Sequence, residues 1–271
     1  MKSLLPKEVF WWIAHSLREM SLSRWWRRAR LSLQNWYRFW STYCKYVALL
    51  TPGRSCQGAT RKLMLRHLYP CVQDATANHE VEPTYFYQDA WAFELIVRSK
   101  PAQHIDVGSH HKFVALLSKV VPVTMVDIRP LSLELSSLQF RAGSICNLPF
   151  ATDSLASVSS LCVIEHIGLG RYGDALDPQG TVKALRELQR VVRSNGDLYL
   201  SVPLDDEDRT YFNAHRAFTE ETLLGLFEPF IVVEKRYIYG TRFSEVRGSG
   251  FGTGCYHLRK PPTPDDLLPK G

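Results

Sequence analysis

The sequence predicts an α/β protein: a doubly wound, mostly parallel, seven-stranded sheet with a helical N-terminal extension. Three observations predict it. From residue 104 onward, short apolar runs alternate with amphipathic segments, the signature of strands and helices taking turns. Two of the early runs end in an acid, Asp106 and Asp127, and Gly108 follows the first almost at once. Residues 1–50 differ from the rest, holding six of the seven tryptophans and most of the excess positive charge.

The extension comes first in the chain. From Trp26, apolar positions fall at Ala29, Leu33, Trp36, Trp40, Tyr43, Val47 and Leu50, in alternating steps of 3 and 4. That spacing puts them on one helical face, with Arg27, Arg28, Arg30, Arg38 and Lys45 elsewhere. Thr51-Pro52-Gly53 stops the helix. Residues 51–83 read as a linker, with a short basic helix near Lys62–His67, and residues 84–98 as a helix leading into the main domain.

The main domain, residues 84–260, follows in order. Strands are expected at His104–Val107, Val123–Asp127, Gln139–Ala142, Leu155–Val163, Asp197–Val202, Phe230–Tyr239 and Gly254–Arg259. Helices are expected at Lys112–Val120, Leu131–Ser137, Thr181–Val192 and Thr219–Leu226, the last capped by Thr219. Ser194-Asn195-Gly196 should end the third of these, and Pro203 should close the fifth strand. The final strands form an antiparallel end to the sheet. Residues 261–271, rich in proline, read as a loose tail.

Bulk composition narrows the function classes. A 45% hydrophobic fraction provides a full core for 271 residues. Nine Lys/Arg against Glu8 and Glu19 give residues 1–50 a charge of +7, so with +6 overall the other 221 residues sum to −1. A near-neutral main domain argues against nucleic acid as its substrate. The extension instead suits an anionic membrane surface, where indoles lie at headgroup level and guanidiniums meet phosphates. A helix docked on the main domain is the competing reading. Six scattered cysteines without a Cys-x-x-Cys pair favour a reducing cytoplasm over a disulfide framework. No apolar run reaches the ~18–20 residues of a spanning helix. The expected location is cytoplasmic, with peripheral attachment to the membrane.

The chemistry should gather beyond the carboxyl ends of the strands. Gly108 lets backbone pass close to a ligand. Asp127 stands 21 residues after Asp106, near the ~20-residue step to a ribose-binding acid in dinucleotide folds. A carboxylate there accepts both ribose hydroxyls. Each Asp could equally cap the segment after its strand.

The runs Asp106-Val107-Gly108, Val126-Asp127-Ile128 and Ala142 to Phe150, then Ser154 to Val158, Val163 to His166 and Leu188 to Leu198, resemble class I S-adenosylmethionine-dependent methyltransferases in order and spacing. The match runs from about residue 84 to 203, and more loosely to 259. The stretch Glu165-His166-Ile167-Gly168-Leu169-Gly170-Arg171-Tyr172-Gly173-Asp174 resembles an uncharacterised branch of that superfamily. The resemblance implies a Rossmann-like methyltransferase fold and S-adenosylmethionine as cofactor. It implies that Asp106, Val107, Gly108, Ser109 and His110 wrap the methionine end. Asp127 would take the ribose and Ile128 the adenine face. Ser144 and Ile145 would meet the adenine amine, and Leu161 and Cys162 would form the floor. The sequence departs from the family at Ser109, His110 and His111, where glycines are usual, and at Ser144, where an acid is usual. Ser109 or His110 would then supply donors to a carboxylate. A nicotinamide cofactor fits less well, because its pyrophosphate needs the missing second glycine.

The acceptor is expected to be a polar small molecule or a glycan, methylated at oxygen. Arg171, Tyr172 and Asp174 of the loop 168–178, together with Arg216, would bind it. His215 would serve as base, with His166 close to the cofactor; both could instead be histidines held by hydrogen bonds at segment ends. His104, His110 and His111 lack the Asp, Glu or Cys partners of a metal site, so no metal is expected. The rival function is a binding protein or scaffold at a membrane surface that keeps the fold without catalysis. Cofactor binding separates the two.

Overall fold

The computed structural model describes residues 22–49 and 68–262. The chain divides into two compact units, residues 1–80 and 81–271. In the first, helix α1 spans Leu22–Leu49. Its described part carries exposed Leu33, Trp36, Tyr37, Trp40, Tyr46 and Val47. Trp36, Phe39, Trp40 and Tyr43 form successive edge-to-face contacts, and Arg38 donates to the Ala75 carbonyl at 3.2 Å. The stop at Thr51–Gly53, the basic helix near Lys62–His67 and most of the tail after Pro261 lie outside the described residues.

The second unit opens with α2, Pro83–Ser99. Glu82 caps it by accepting from the Tyr85 N–H at 2.7 Å, and Pro83 occupies a first-turn position where no N–H partner is lost. It buries Gln88, Trp91, Ala92 and Ile96. The remaining elements are β1 His104–Val107, α3 His111–Leu117, β2 Val123–Asp127, β3 Leu138–Ala142 and β4 Leu155–Leu161. Then come α4 Gly180–Val191, β5 Val192–Leu204, β6 Arg209–Tyr211, β7 His215–Ala217, α5 Glu220–Phe227, β8 Ile231–Tyr239, β9 Arg242–Ser244 and β10 Gly252–Arg259.

The sheet order is β3-β2-β1-β4-β5-β10-β8-β9. β1 to β5 are parallel neighbours, and β10 runs antiparallel between β5 and β8. The order reverses between β1 and β4, which makes a crevice at their carboxyl ends. One face packs Val107, Val158, Leu188, Leu200 and Phe227. The other packs Trp91, Ile96, Phe113, Leu117 and Leu161. Burial of each large side chain contributes roughly 1.5–3 kcal/mol.

Several local expectations are corrected. Leu131–Ser137 forms no helix. Its leucines recur every second residue, Ser132 and Glu134 stand between them, and seven residues cannot offset the cost of helix nucleation. The main sheet has eight strands among the described residues, because Arg242–Ser244 turns back beside β8. β4 stops at Leu161, where Cys162 takes φ +52°. Ser194–Gly196 lies inside β5, where Asn195 takes φ +57° and the β4 pairing shifts register. Pro203 also lies within β5, opposite Thr253. The Thr219 cap is present, accepting from the Thr222 N–H at 3.2 Å.

Candidate cofactor and acceptor site

A cavity of about 810 Å³ opens at the carboxyl ends of β1, β2 and β4. Its wall brings together Val107, Gly108, Ser109, His110, Asp127, Ile128, Ser144, Ile145, Leu161, Cys162, His166, Tyr172 and Asp174. Asp106, Arg171, His215 and Arg216, also expected at the site, are not on that wall.

Asp106 is fully buried beneath the β1 turn. Its Oδ1 accepts from the Ser109 N–H at 3.1 Å, and its Oδ2 from the Ser159 hydroxyl at 2.6 Å. Burial pushes its carboxyl up to about 6, against those hydrogen bonds. It braces the turn from beneath and does not reach the cavity wall. Ser109 is likewise committed, since its Oγ accepts from the Leu161 N–H at 2.9 Å. Gly108 takes φ +74°, and an added Cβ would meet Val163 at 3.0 Å. His110 caps α3 by accepting from the Lys112 N–H on Nδ1 at 3.3 Å. The proton therefore sits on Nε2, and burial pulls the ring below its usual value. His110 is thus the neutral donor that this loop offers on the cavity wall.

Asp127 ends β2 differently. Its Oδ1 accepts from the Arg129 N–H at 2.8 Å, with the Arg129 side chain 3.5 Å away. Oδ2 has no protein partner among the described residues. Ile128, 45% exposed, and buried Ile145 provide apolar surface beside it. Ser144 Oγ accepts from the Cys146 N–H at 3.2 Å and retains a hydroxyl proton.

The loop after β4 closes the other side. Gly168 takes φ +81°, and a Cβ there would lie 2.0 Å from the Asp177 carbonyl oxygen. Asp174 accepts from the Gly168 N–H at 2.6 Å and the Tyr172 N–H at 3.3 Å. Burial works against its charge, but these backbone donors prevail and hold it below the usual carboxylate range. Tyr172 lies edge-on to His166, 5.5 Å between centroids, with Arg129 and Arg171 4.4 and 5.0 Å from its ring centre. Arg171 donates to the Ala214 carbonyl at 3.2 Å. Arg216, 8% exposed, is spent on the Ile167 carbonyl, the Thr181 hydroxyl and the Asp177 carbonyl. Both arginines contact backbone carbonyls, and neither lies on the cavity wall.

The histidines separate in the same way. His166 donates from Nδ1 to the Ala214 carbonyl at 2.6 Å. That leaves its Nε2 lone pair free of any hydrogen bond, and burial pulls the ring down to about 4. His215 stands behind it, 6.5 Å between ring centroids, packed on Tyr211 and Phe251. Of the two, His166 lies on the cavity wall and His215 does not.

Other wall residues carried no signal in the sequence. Tyr85 comes from the first turn of α2, Arg129 and Pro130 from the turn after β2, and Leu131 to Leu135 from the segment expected as a helix. Only the neighbouring strands bring them here. Arg129, already held by Asp127 and Tyr172, and the exposed His111 are the basic residues of the wall besides His110 and His166; no Lys is among them. Asp127, Glu134 and Asp174 supply its acids. A diphosphate would find few cations here, whereas a cationic nucleoside with a ribose finds carboxylates and an apolar shelf. The residues present fit S-adenosylmethionine on that ground.

A protein family described as Caenorhabditis protein of unknown function, DUF268, matches residues 125–238. No curated protein matches the sequence. Among solved structures, N-methyltransferase NodS from Bradyrhizobium japonicum in complex with S-adenosyl-L-homocysteine is similar at 15% identity. The match covers 71% of this chain and 92% of that one, with a TM-score of 0.49. A 1,6-didemethyltoxoflavin-N1-methyltransferase from Burkholderia thailandensis is similar at 18% identity, covering 65% and 79%, with a TM-score of 0.47. The [4+2]-cyclase SpnF is similar at 13%, covering 65% and 82%, with a TM-score of 0.49. On its own strand order and crevice, the chain has a Rossmann-like, mostly parallel α/β fold.

Proposed function

We propose that the protein is an S-adenosylmethionine-dependent methyltransferase acting on a hydroxyl of a polar small molecule or glycan. The observation that carries the reading is the free Oδ2 of Asp127, at the end of β2 in a cavity with acids but few cations. Asp127 would hold the ribose, Ile128 and Ile145 the adenine, and His110 Nε2–H the methionine carboxylate. Bound there, the cofactor supplies an electrophilic methyl carbon on a positively charged sulfur. The chain's own part is alignment and proton transfer. Tyr172 and Asp174 would orient the acceptor. His166 Nε2 would take its hydroxyl proton, while Nδ1–H stays on the Ala214 carbonyl and fixes the ring.

Titration calorimetry with S-adenosylhomocysteine tests the reading, with NAD as the control. Single-site binding of the nucleoside and none of NAD is expected. Tighter binding of NAD, or binding of neither, refutes it.

A further inference from the structure

The mechanism above leaves one buried carboxyl unused. Glu165 precedes the base in the 3-10 turn Ile164–His166 and is 1% exposed. Its Oε1 lies 3.6 Å from His166 Nε2, and its Oε2 has no hydrogen-bond partner. An unpaired buried carboxyl costs stability, so its presence beside an imidazole on a cavity wall calls for a role.

We propose that Glu165 and His166 form a proton-accepting pair, with Glu165 as the positioning residue that makes the imidazole a competent base. The inference rests on the methyltransferase reading. The step balances as follows. The acceptor oxygen forms a bond to the methyl carbon, the carbon–sulfur bond breaks, and its electron pair stays on sulfur. The hydroxyl proton passes to Nε2 and the positive charge to the imidazolium. A carboxylate 3.6 Å away compensates that charge in a site that water does not screen.

The groups around the pair define its titration. Burial pushes Glu165 up to about 8, partly offset by Cys162 and by the charge of Arg171. Tyr85 faces it from α2. Burial pulls His166 down to about 4; the Ala214 carbonyl and Asp174 oppose this, and Arg171 and His215 add to it. Between those values the pair holds one proton, on the carboxyl. A lone imidazole of that strength is a poor proton acceptor at neutral pH. Once the carboxyl ionises, the imidazole faces an anion and its proton affinity rises. Transfer should therefore strengthen as pH rises through about 8.

The test needs no acceptor. The Cε1 carbon and attached proton of His166, assigned by comparison with His166→Asn, are followed by NMR from pH 6 to 9.5 in the full chain. In the wild type the His166 signal should move through an inflection near 8, reporting ionisation of its neighbour. Glu165→Gln keeps the shape and cannot ionise, so the inflection should vanish while the other histidine signals stay in place. A flat wild-type signal over that range overturns the proposal. An inflection that survives in Glu165→Gln does so too. If Glu165→Gln does not fold, Glu165→Asp replaces it and should shift the inflection. Calorimetry with S-adenosylhomocysteine is read separately: binding with no inflection sinks the pair alone, whereas an inflection without binding sinks the methyltransferase reading.

Discussion

Asp127→Asn isolates one oxygen of the candidate site. In the wild type Oδ1 serves the protein, accepting from the Arg129 N–H at 2.8 Å. An asparagine carbonyl can take over that bond, so the turn after β2 should survive. The half-exposed contact with the Arg129 side chain at 3.5 Å is worth at most about 1 kcal/mol. The change falls on the second position, where a free carboxylate oxygen becomes an amide donor. A ribose diol would then face donors with its own donors. Loss of a hydrogen bond to a charged group costs about 1.5–3 kcal/mol. That corresponds to roughly 10- to 140-fold weaker binding. Calorimetry with S-adenosylhomocysteine reads the affinity, and a thermal melt of the unliganded protein reads the fold. An unchanged melt with affinity reduced in that range is expected. Unchanged affinity would show that Asp127 does not meet the ribose and would remove the observation on which the function rests.

Three further outcomes follow from the same geometry. Gly168→Ala combines left-handed strain of about 1–2 kcal/mol with a Cβ 2.0 Å from the Asp177 oxygen, so it should break the Asp177 N–H to Gly168 bond as well. A fall in Tm of roughly 2–8 °C from the strain alone is expected, and a shift under about 1 °C would show that the loop relaxes freely. Glu165 is an acid raised from 4.5 to about 8, so the folded state holds a proton that the unfolded state releases. Its contribution to stability should therefore fall as pH rises from about 4.5 to 8, by about 1.4 kcal/mol per unit, and level off above; Glu165→Gln should lack that fall in denaturant titrations, and identical slopes for the two would contradict the assignment. Helix α1 carries six Lys/Arg and no acid along Leu22–Leu49, and among the described residues no helix is long and apolar enough to cross a membrane. The full chain should sediment with anionic vesicles at low salt and release at high salt, whereas a chain beginning at Tyr69 should stay in solution and still bind S-adenosylhomocysteine; equal sedimentation of both would place any attachment elsewhere.

The strands and most helices were legible because each follows from its own residues. The apolar Val123, Met125 and Val126 of β2, the 3.6-residue pattern of α4 and the Thr219 hydroxyl at the start of α5 are local facts. So is the pairing of Asp106-Val107-Gly108 with Asp127 at a fixed spacing, which points to the crevice from the sequence alone. Leu131–Ser137 was misread because a short leucine-rich run carries no decisive period. Its leucines, with Pro130, line the cavity.

What the sequence by itself determined was the alternation of strands and helices, the carboxyl edge where ligands would sit and the amphipathic character of α1. These depend on periodicity and on caps a few residues away. Only the tertiary structure decided which strand-end acid remains available. Asp106 and Asp127 look alike in sequence. Yet Asp106 lies at the centre of the sheet, where Ser159 of the neighbouring β4, 53 residues away, takes its second oxygen. Asp127 has only the edge strand β3 on its outer side, and its second oxygen stays free. The same holds for His166, Arg171 and Arg216, whose roles follow from carbonyls at Ala214, Ile167 and Asp177. A side chain's chemistry at this edge depends on which distant groups reach it first, and strand order sets that.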